Sequence, residues 1–548
     1  MITAIALLGA RIAGAIGTFS DSPYTETIPA SGPCDATIDQ GTALTTLRTL
    51  LNDPSKRVFC VAPGDYRAAG ELFMTASGTQ QSRRFLRLDV QDGLRNAVQR
   101  SERAIFESLR ILGSWWVIQG LTIQPRSGMT AWFVTIYGGD HNVLDGNLID
   151  GIDHVPQLSS QNAVIVAGYK GDPATFNTVQ ANVVRNGNQG RRPGDFGGVM
   201  IIWGDVASED NDFNKVVDNE IYDWGDGIAV AGHTNDCSEP GTQSGTVIDG
   251  NDVYLTAAKR IDCASGASDP DGQCACAENG IDLKSKGGPE AWLWTQVTHN
   301  RVWGFRPTSA TANCGGSGAN GQAIDAGNIC PEHVLVANNV ILDSTQGVTA
   351  AGSSWIIAGN LLHDIRIAGP GGIASTLAIF PSAYATDVKI EFNTVVDVDR
   401  AYDDLSANTD TRCNAVINDH HTDNMITGEV RGANHSTTHN FLYAAPAGNF
   451  QGTTNESFAS AAESGNSEYC FWRKRWTAPE RVCIPLANTT ASSTHEASIA
   501  NCDPNLLAPF GMAAVSYPST PVPEPFAAWL GAASLVTLGA LARRTRSR

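Results

Sequence analysis

Charge is scarce in this sequence, and basic charge is the scarcer kind. Of 548 residues only 17% are Asp, Glu, Lys or Arg, and the 37 basic residues are outnumbered by 56 acidic ones, for a formal net charge of -19. A field of that sign repels nucleic acid and anionic membrane surfaces, so a polyanionic ligand needs a local basic patch or a bridging cation. Long solvated helices also require charge that the chain does not have. Its 55 glycines and 25 prolines instead fit many short strands joined by turns. The 12 cysteines include no paired C-x-x-C, which removes the common zinc spacing. An even number in loop-like sequence reads as staples made in an oxidising compartment, with Cys34–Cys60, Cys314–Cys330 and Cys470–Cys483 as the local pairings. "CAC" (274–276) lacks a second close cluster and "DHHTD" (419–423) is one His-His pair in a polar loop, so both are weak metal motifs.

Long apolar runs are missing everywhere but at the two ends. The opening "MITAIALLGARIAGAIG" has the apolar core and small residues of a signal peptide, without a basic residue before Arg11, and residues 1–20 are assigned that role. At the other end "PVPEP" (521–525) precedes the apolar run Phe526 to Ala542 and then "RRTRSR". That run is just long enough to span a bilayer as a helix, and the arginines hold its end in the cytoplasm with everything upstream facing outward. This order over 521–548 resembles the PEP-CTERM sorting signal of Gram-negative bacteria that secrete extracellular polysaccharide. The resemblance implies a transient inner-membrane anchor, removal of the tail by an exosortase, and delivery to the cell surface or the surrounding matrix.

Between the ends one phrase recurs: "NVLDGNLID" (142), "NTVQANVVRN" (177), "NKVVDNEIYD" (214), "GTVIDGNDVYLT" (245), "TQVTHNRVWGF" (295), "HVLVANNVILD" (333), "SWIIAGNLLHD" (354) and "VKIEFNTVVDVD" (388). Each holds an asparagine two residues before an aliphatic, from Asn147 with Ile149 to Asn393 with Val395. The period-2 alternation makes each phrase a strand, and an asparagine at one place per coil suits a ladder of amides bonded along a stack. Successive asparagines stand 21 (Asn339 to Asn360) to 49 (Asn251 to Asn300) residues apart. That spacing is too irregular for a propeller but natural for an all-β, right-handed parallel β-helix with long loop insertions. The β-helix is expected over 30–400. The polar, loop-rich, disulfide-bearing stretch 401–520 receives no fold, and 521–548 is the sorting signal with its transmembrane helix.

Each phrase is followed by a second short strand led by glycine or another small residue: "GVMIIWG" (198), "GIAVAGH" (227), "GIDLKSK" (280), "AIDAGN" (323) and "GVTAAG" (347). Stacked as one parallel sheet with rungs about 4.8 Å apart, these strands place Met200, Ala229, Asp282, Asp325 and Thr349 in one outward column. Ile202, Ala231, Lys284, Gly327 and Ala351 form the next. Lys284 then rises from a floor of small residues with Asp282 two residues back and Asp325 one coil over, a shallow trough suited to a saccharide. A solvated lysine paired with Asp282 is the plain reading of this arrangement; a catalytic base is the other.

At the level of coil pattern, the chain from roughly residue 50 to 400 resembles the polysaccharide lyases of the pectate lyase, alginate lyase and chondroitinase B type. In the chondroitinase B and alginate lyase group a lysine in a "KS" step carries the chemistry, after a carboxylate and with an arginine about one coil later. Lys284-Ser285 matches the lysine step, Glu278 or Asp282 the carboxylate, and Arg306 in "VWGFRP" the arginine, although it stands at the start of a long loop. The resemblance implies β-elimination at a uronic acid in an acidic polysaccharide, with Lys284 as base. Arg306, or a Ca²⁺ held by Asp282, Asp325 and Glu278, would neutralise the substrate carboxylate. A base must be neutral, and Asp282 alone pushes Lys284 the other way, so base and ion go together. His233 in "AGHTND" begins a loop beside the same column, and Trp203 and Trp303 offer faces for stacking on sugar rings, or pack under loops. Two further readings stay open. One is a polygalacturonase-like hydrolase, whose "NTD" occurs at 408–410 but whose "DD" (403–404) comes too early and whose "GHG" is missing. The other is a non-catalytic matrix or cell-surface rod that binds polysaccharide.

Overall fold

The structure, a computed structural model, describes residues 19, 21–90, 94–126, 132–152, 162–187, 197–202, 210–231, 242–257, 279–306, 321–326, 330–366, 377–399, 401–402, 406, 408–412, 414–419, 434–438, 441–443, 456–458, 466–487 and 505–510. The expected signal peptide, save Phe19, and the expected sorting tail lie outside the described residues. Among those that are described, no helix is long and apolar enough to cross a membrane.

A typical coil contributes three short strands, as in Asp226–Ala231, Val247–Asp249 and Asp252–Tyr254. Corresponding strands of successive coils pair in parallel, and every rung of the three resulting sheets follows this rule. The first sheet runs from Glu71–Met74 to the front half of Ile379–Glu391, and the second from Ala36–Ile38 to Asn434–Thr438. Gln346–Ala358 bends round the corner and pairs with both Gln322–Asp325 and Glu332–Ala337, which joins these two sheets into one network of 22 strands. Among the described residues the third sheet has 14. The molecule is a parallel β-helix.

The recurring phrase explains the stack. Its aliphatics form an inward column, Ile149, Val184, Ile221, Val253, Val302, Ile341, Leu362 and Val395, in register rung by rung. Each is fully buried, worth roughly 1.5–3 kcal/mol of transfer free energy per side chain. The asparagines turn the corner between second and third sheets. From Asn147 to Asn393 each side-chain amide donates to the amide oxygen of the next at 2.9 to 3.0 Å, and Asn414 extends the ladder one rung further. The same oxygen also accepts the backbone N–H of the preceding asparagine, as Asn219 does from Asn182 at 2.9 Å. From Asn147 to Asn393 the residue before each ladder asparagine takes the left-handed conformation, Gly146, Gly250 and Gly359 without strain and Ala181 and Phe392 against it.

The described strands continue past residue 400 to Glu456–Phe458, so part of the stretch that received no fold supplies further coils. Asn414 and Val416 there repeat the ladder spacing, once. Beyond them Asn466–Arg473 and Glu480–Ala487 form an antiparallel hairpin, in which Cys470 stands opposite Cys483. The chain at its tip returns to the middle coils: Trp476 and Thr477 donate backbone N–H bonds to Glu220 at 2.8 and 2.9 Å, and Arg475 pairs with Asp218 at 2.6 Å. The Cys34–Cys60 disulfide forms as expected, and Cys330 and Cys483 are also disulfide-bonded.

Candidate active site on the first sheet

The strand Asn279–Lys284 alternates as its sequence demands: Ile281 and Leu283 enter the core, and Asp282 and Lys284 point out. Its leading glycine is a packing necessity. A Cβ on Gly280 would lie 2.5 Å from Val302 Cγ1 and 2.6 Å from the Ala323 carbonyl oxygen, and one on Gly227 would meet Val253 and the Gly280 carbonyl in the same way. Only a small residue lets this sheet close against the third.

The register matches the expected columns from Met200 to Asp325 and from Ile202 to Lys284, and Gly327 lies outside the described residues. Met200 pairs with Ala229, Ala229 with Asp282, and Asp282 with Asp325. Ile202 pairs with Ala231, and Ala231 with Lys284. The Lys284 ammonium contacts the Asp282 carboxylate, whose side chain is 1% exposed against 28% for the lysine, so solvent reaches the cluster at its cationic end. Burial works against the charge on Lys284, but Asp282, and then Asp226 and Asp325, more than reverse it and raise its pKa above the ordinary 10.5. At neutral pH Lys284 is an ammonium.

Asp226 is a member of this cluster that sequence reasoning missed. It heads a second column, Asp226, Asn279, Gln322 and Gln346, in register on four coils. Asn279 donates to Asp226 at 3.1 Å, and Gln322 donates to Asp325 at 2.5 Å. The signal was present in the chain: each of the four stands immediately before the small residue that leads its strand.

The other expected site residues divide into two groups. Glu278, His233 and Trp203 lie outside the described residues, as does most of "DHHTD". Arg306 and Trp303 are described, and they sit together but not with Lys284. Arg306 follows the third-sheet strand Arg301–Trp303 and pairs with Asp343 at 2.5 Å and Asp364 at 3.0 Å. The expected arginine beside the lysine is therefore corrected: counting along the chain put it one coil on, but the corner it occupies leads away from the first sheet. Trp303 lies between the Tyr254 ring at 4.2 Å and the Arg473 guanidinium at 4.7 Å, and both expected residues line a cleft of about 430 Å³ on that side.

Calcium finds only part of a site. Asp282 and Asp325 offer carboxylates on adjacent rungs, and Glu278, the third expected ligand, is undescribed. Among the described residues the one group of three metal-type side chains is Cys34, Cys60 and Asp89, whose sulfurs are committed to a disulfide. Among the described residues, Asp282 and Asp325 supply two of the carboxylates that a calcium ion would take.

Fold and cluster together define the class: a parallel β-helix carrying an acid–lysine constellation on the outward face of one sheet. No family model and no curated protein matches the sequence. Similar solved structures include a PL6 alginate lyase in complex with a trisaccharide (12% identity, TM-score 0.47, covering 81% of this chain and 91% of that one) and a pectate lyase (12%, 0.38, 65% and 82%). DFA-IIIase of Arthrobacter chlorophenolicus in complex with DFA-III is similar to the same degree (12%, 0.42, 73% and 97%). At such identities the likeness is to the course of the chain and leaves the chemistry to the side chains.

Proposed function

We propose that this protein is a secreted polysaccharide lyase, a right-handed parallel β-helix that cleaves an acidic, uronic-acid-containing polysaccharide by β-elimination with Lys284 as base. The observation that carries the reading is the pairing of Asp282 with Asp325 beside a partly exposed Lys284, on a strand whose neighbouring rung is Ala229 and Ala231. In the reaction the C5 proton passes to the neutral amine of Lys284. Its electron pair forms the C4–C5 double bond, and the C4–O bond breaks with its electrons leaving on the glycosidic oxygen, which takes up a proton. Asp282, in contact with the ammonium so formed, orients it and stabilises its charge.

The test is to incubate the protein without residues 521–548 with pectate, alginate and glycosaminoglycans, with and without Ca²⁺, and to follow ultraviolet absorbance of the unsaturated product. Absorbance that requires Lys284 supports the proposal. New reducing ends without absorbance would replace it by hydrolysis, and one observation favours that second reading: three aspartates already hold Lys284 charged, which suits acid–base work by carboxylates. Neither signal, with binding retained, would make the protein a matrix or cell-surface binder. Export through 1–20 and exosortase removal of the tail complete the proposal, and membrane fractionation of the full chain against 1–520 checks them: only the full chain is expected in the inner membrane.

A further inference from the structure

The outward column of the third sheet carries aromatic rings on successive coils. Tyr222, Tyr254 and Trp303 are in register, with ring centroids 4.8 and 4.2 Å apart and planes nearly parallel. The next two coils place Leu342 and His363 in the same column, so the ring stack ends in a step. The C-terminal hairpin crosses above that step. Its Arg473 lies over Trp303, and Arg473 and Lys474 share a single carboxylate, Glu480. The space between hairpin and sheet is the cleft of about 430 Å³, within the size range of ligand sites.

Its lining is unusual for this protein. In a chain of net charge -19, an apolar wall of Trp303 and Leu342 is rimmed by Arg306, Arg473, Lys474 and His363, and the two carboxylates in the lining, Asp343 and Asp364, both pair with Arg306, so the fixed cations of the rim outnumber its acids by one. Arg306, Arg473 and Lys474 keep 22% to 28% of their side-chain surface exposed. An apolar wall receives the flat face of a sugar ring, and guanidinium or ammonium groups at its edge receive a carboxylate. We propose that this cleft is a second, non-catalytic site that binds an acidic oligosaccharide, with the ring against Trp303 and Leu342 and the carboxylate at Arg306 and Lys474. It takes from the proposed function only the class of ligand. No step of elimination occurs here, and the site would serve to hold a polymer on the rod away from the first sheet.

The experiment uses Lys284→Met protein, so that binding is read without turnover. Tetragalacturonate, tetramannuronate and the neutral cellotetraose are titrated by calorimetry and by tryptophan fluorescence. Expected is binding of at least one acidic oligomer and not of the neutral one, weakened about tenfold by Arg306→Ala and by Lys474→Ala, each substitution removing on the order of one charge-assisted contact. Lys474 is a partly exposed hairpin residue, so its variant keeps the test valid if the loss of Arg306 disturbs the fold. Circular dichroism confirms folding of each protein. Absence of binding by both acidic oligomers, or binding unchanged in both variants, would overturn the inference, the latter by placing the ligand elsewhere. Elimination activity measured on the unmodified chain reports separately on Lys284, so the two readings fail by different results.

Discussion

Lys284, the base of the proposed elimination, is kept protonated by its own surroundings. Asp282, Asp226 and Asp325 raise its pKa despite burial, so below that pKa its neutral fraction, and with it the elimination rate, climbs about tenfold per pH unit. An alkaline pH–rate profile is therefore expected, measured as initial ultraviolet rates on whichever polymer is cleaved. Lys284→Met should lower the rate by about 10²- to 10⁴-fold, the usual worth of a positioned base. Asp282→Asn removes the carboxylate in contact with the ammonium and should move the alkaline limb to lower pH; an unmoved limb would take the lysine out of the rate law. The same shift bears on stability. A lysine whose folded pKa lies above its unfolded value stabilises the fold fully below about pH 10.5, and that contribution is lost as pH rises through the folded value.

At the scale of elements, the corner between second and third sheets and the glycine-led first strand do different work. The ladder corner fixes register. Asn219 accepts from Asn182 and donates to the Val179 carbonyl at 2.8 Å and to Asn251 at 3.0 Å. Asn219→Ala leaves buried backbone groups without partners, and a loss of about 1–3 kcal/mol is expected in denaturant unfolding. The glycine-led strand fixes the site. Gly280→Ala presses a methyl group on the Ala323 carbonyl and on Val302, and should destabilise by about 1–3 kcal/mol while displacing Asp282 and Lys284 together. Its signature is a fall in kcat larger than a change at a distant core position of equal stability loss would give.

For the molecule as a whole, charge would set how the proposed polyuronate arrives. The net charge of -19 repels a polyuronate over distances comparable to the Debye length, roughly 10 Å at 0.1 M salt. Raising ionic strength from low values toward 0.15 M should therefore increase kcat/KM on the long polymer, the reverse of what a basic groove would show, with less effect on short oligomers. A steady fall of kcat/KM with salt would mean that a local cationic surface governs capture. Stacked coils also make stability a sum over neighbours, and the return of Arg475, Trp476 and Thr477 to Asp218 and Glu220 breaks that rule by tying the hairpin to coils more than 200 residues earlier in the chain.

Sequence alone determined the coil. An asparagine two residues before an aliphatic, repeated from Asn147 to Asn393, encodes both a buried amide ladder and the inward column that must accompany it, and the period of two then fixes that Asp282 and Lys284 face outward. The tertiary structure decided what those side chains meet. Asp226 joins Lys284 from 58 residues away (284 less 226) and Arg306 turns to the third sheet, because the loops between strands vary freely in length while the rungs do not. Distance along the chain therefore says nothing about which corner a residue reaches, and the charge a group carries belongs to the coils on either side of it.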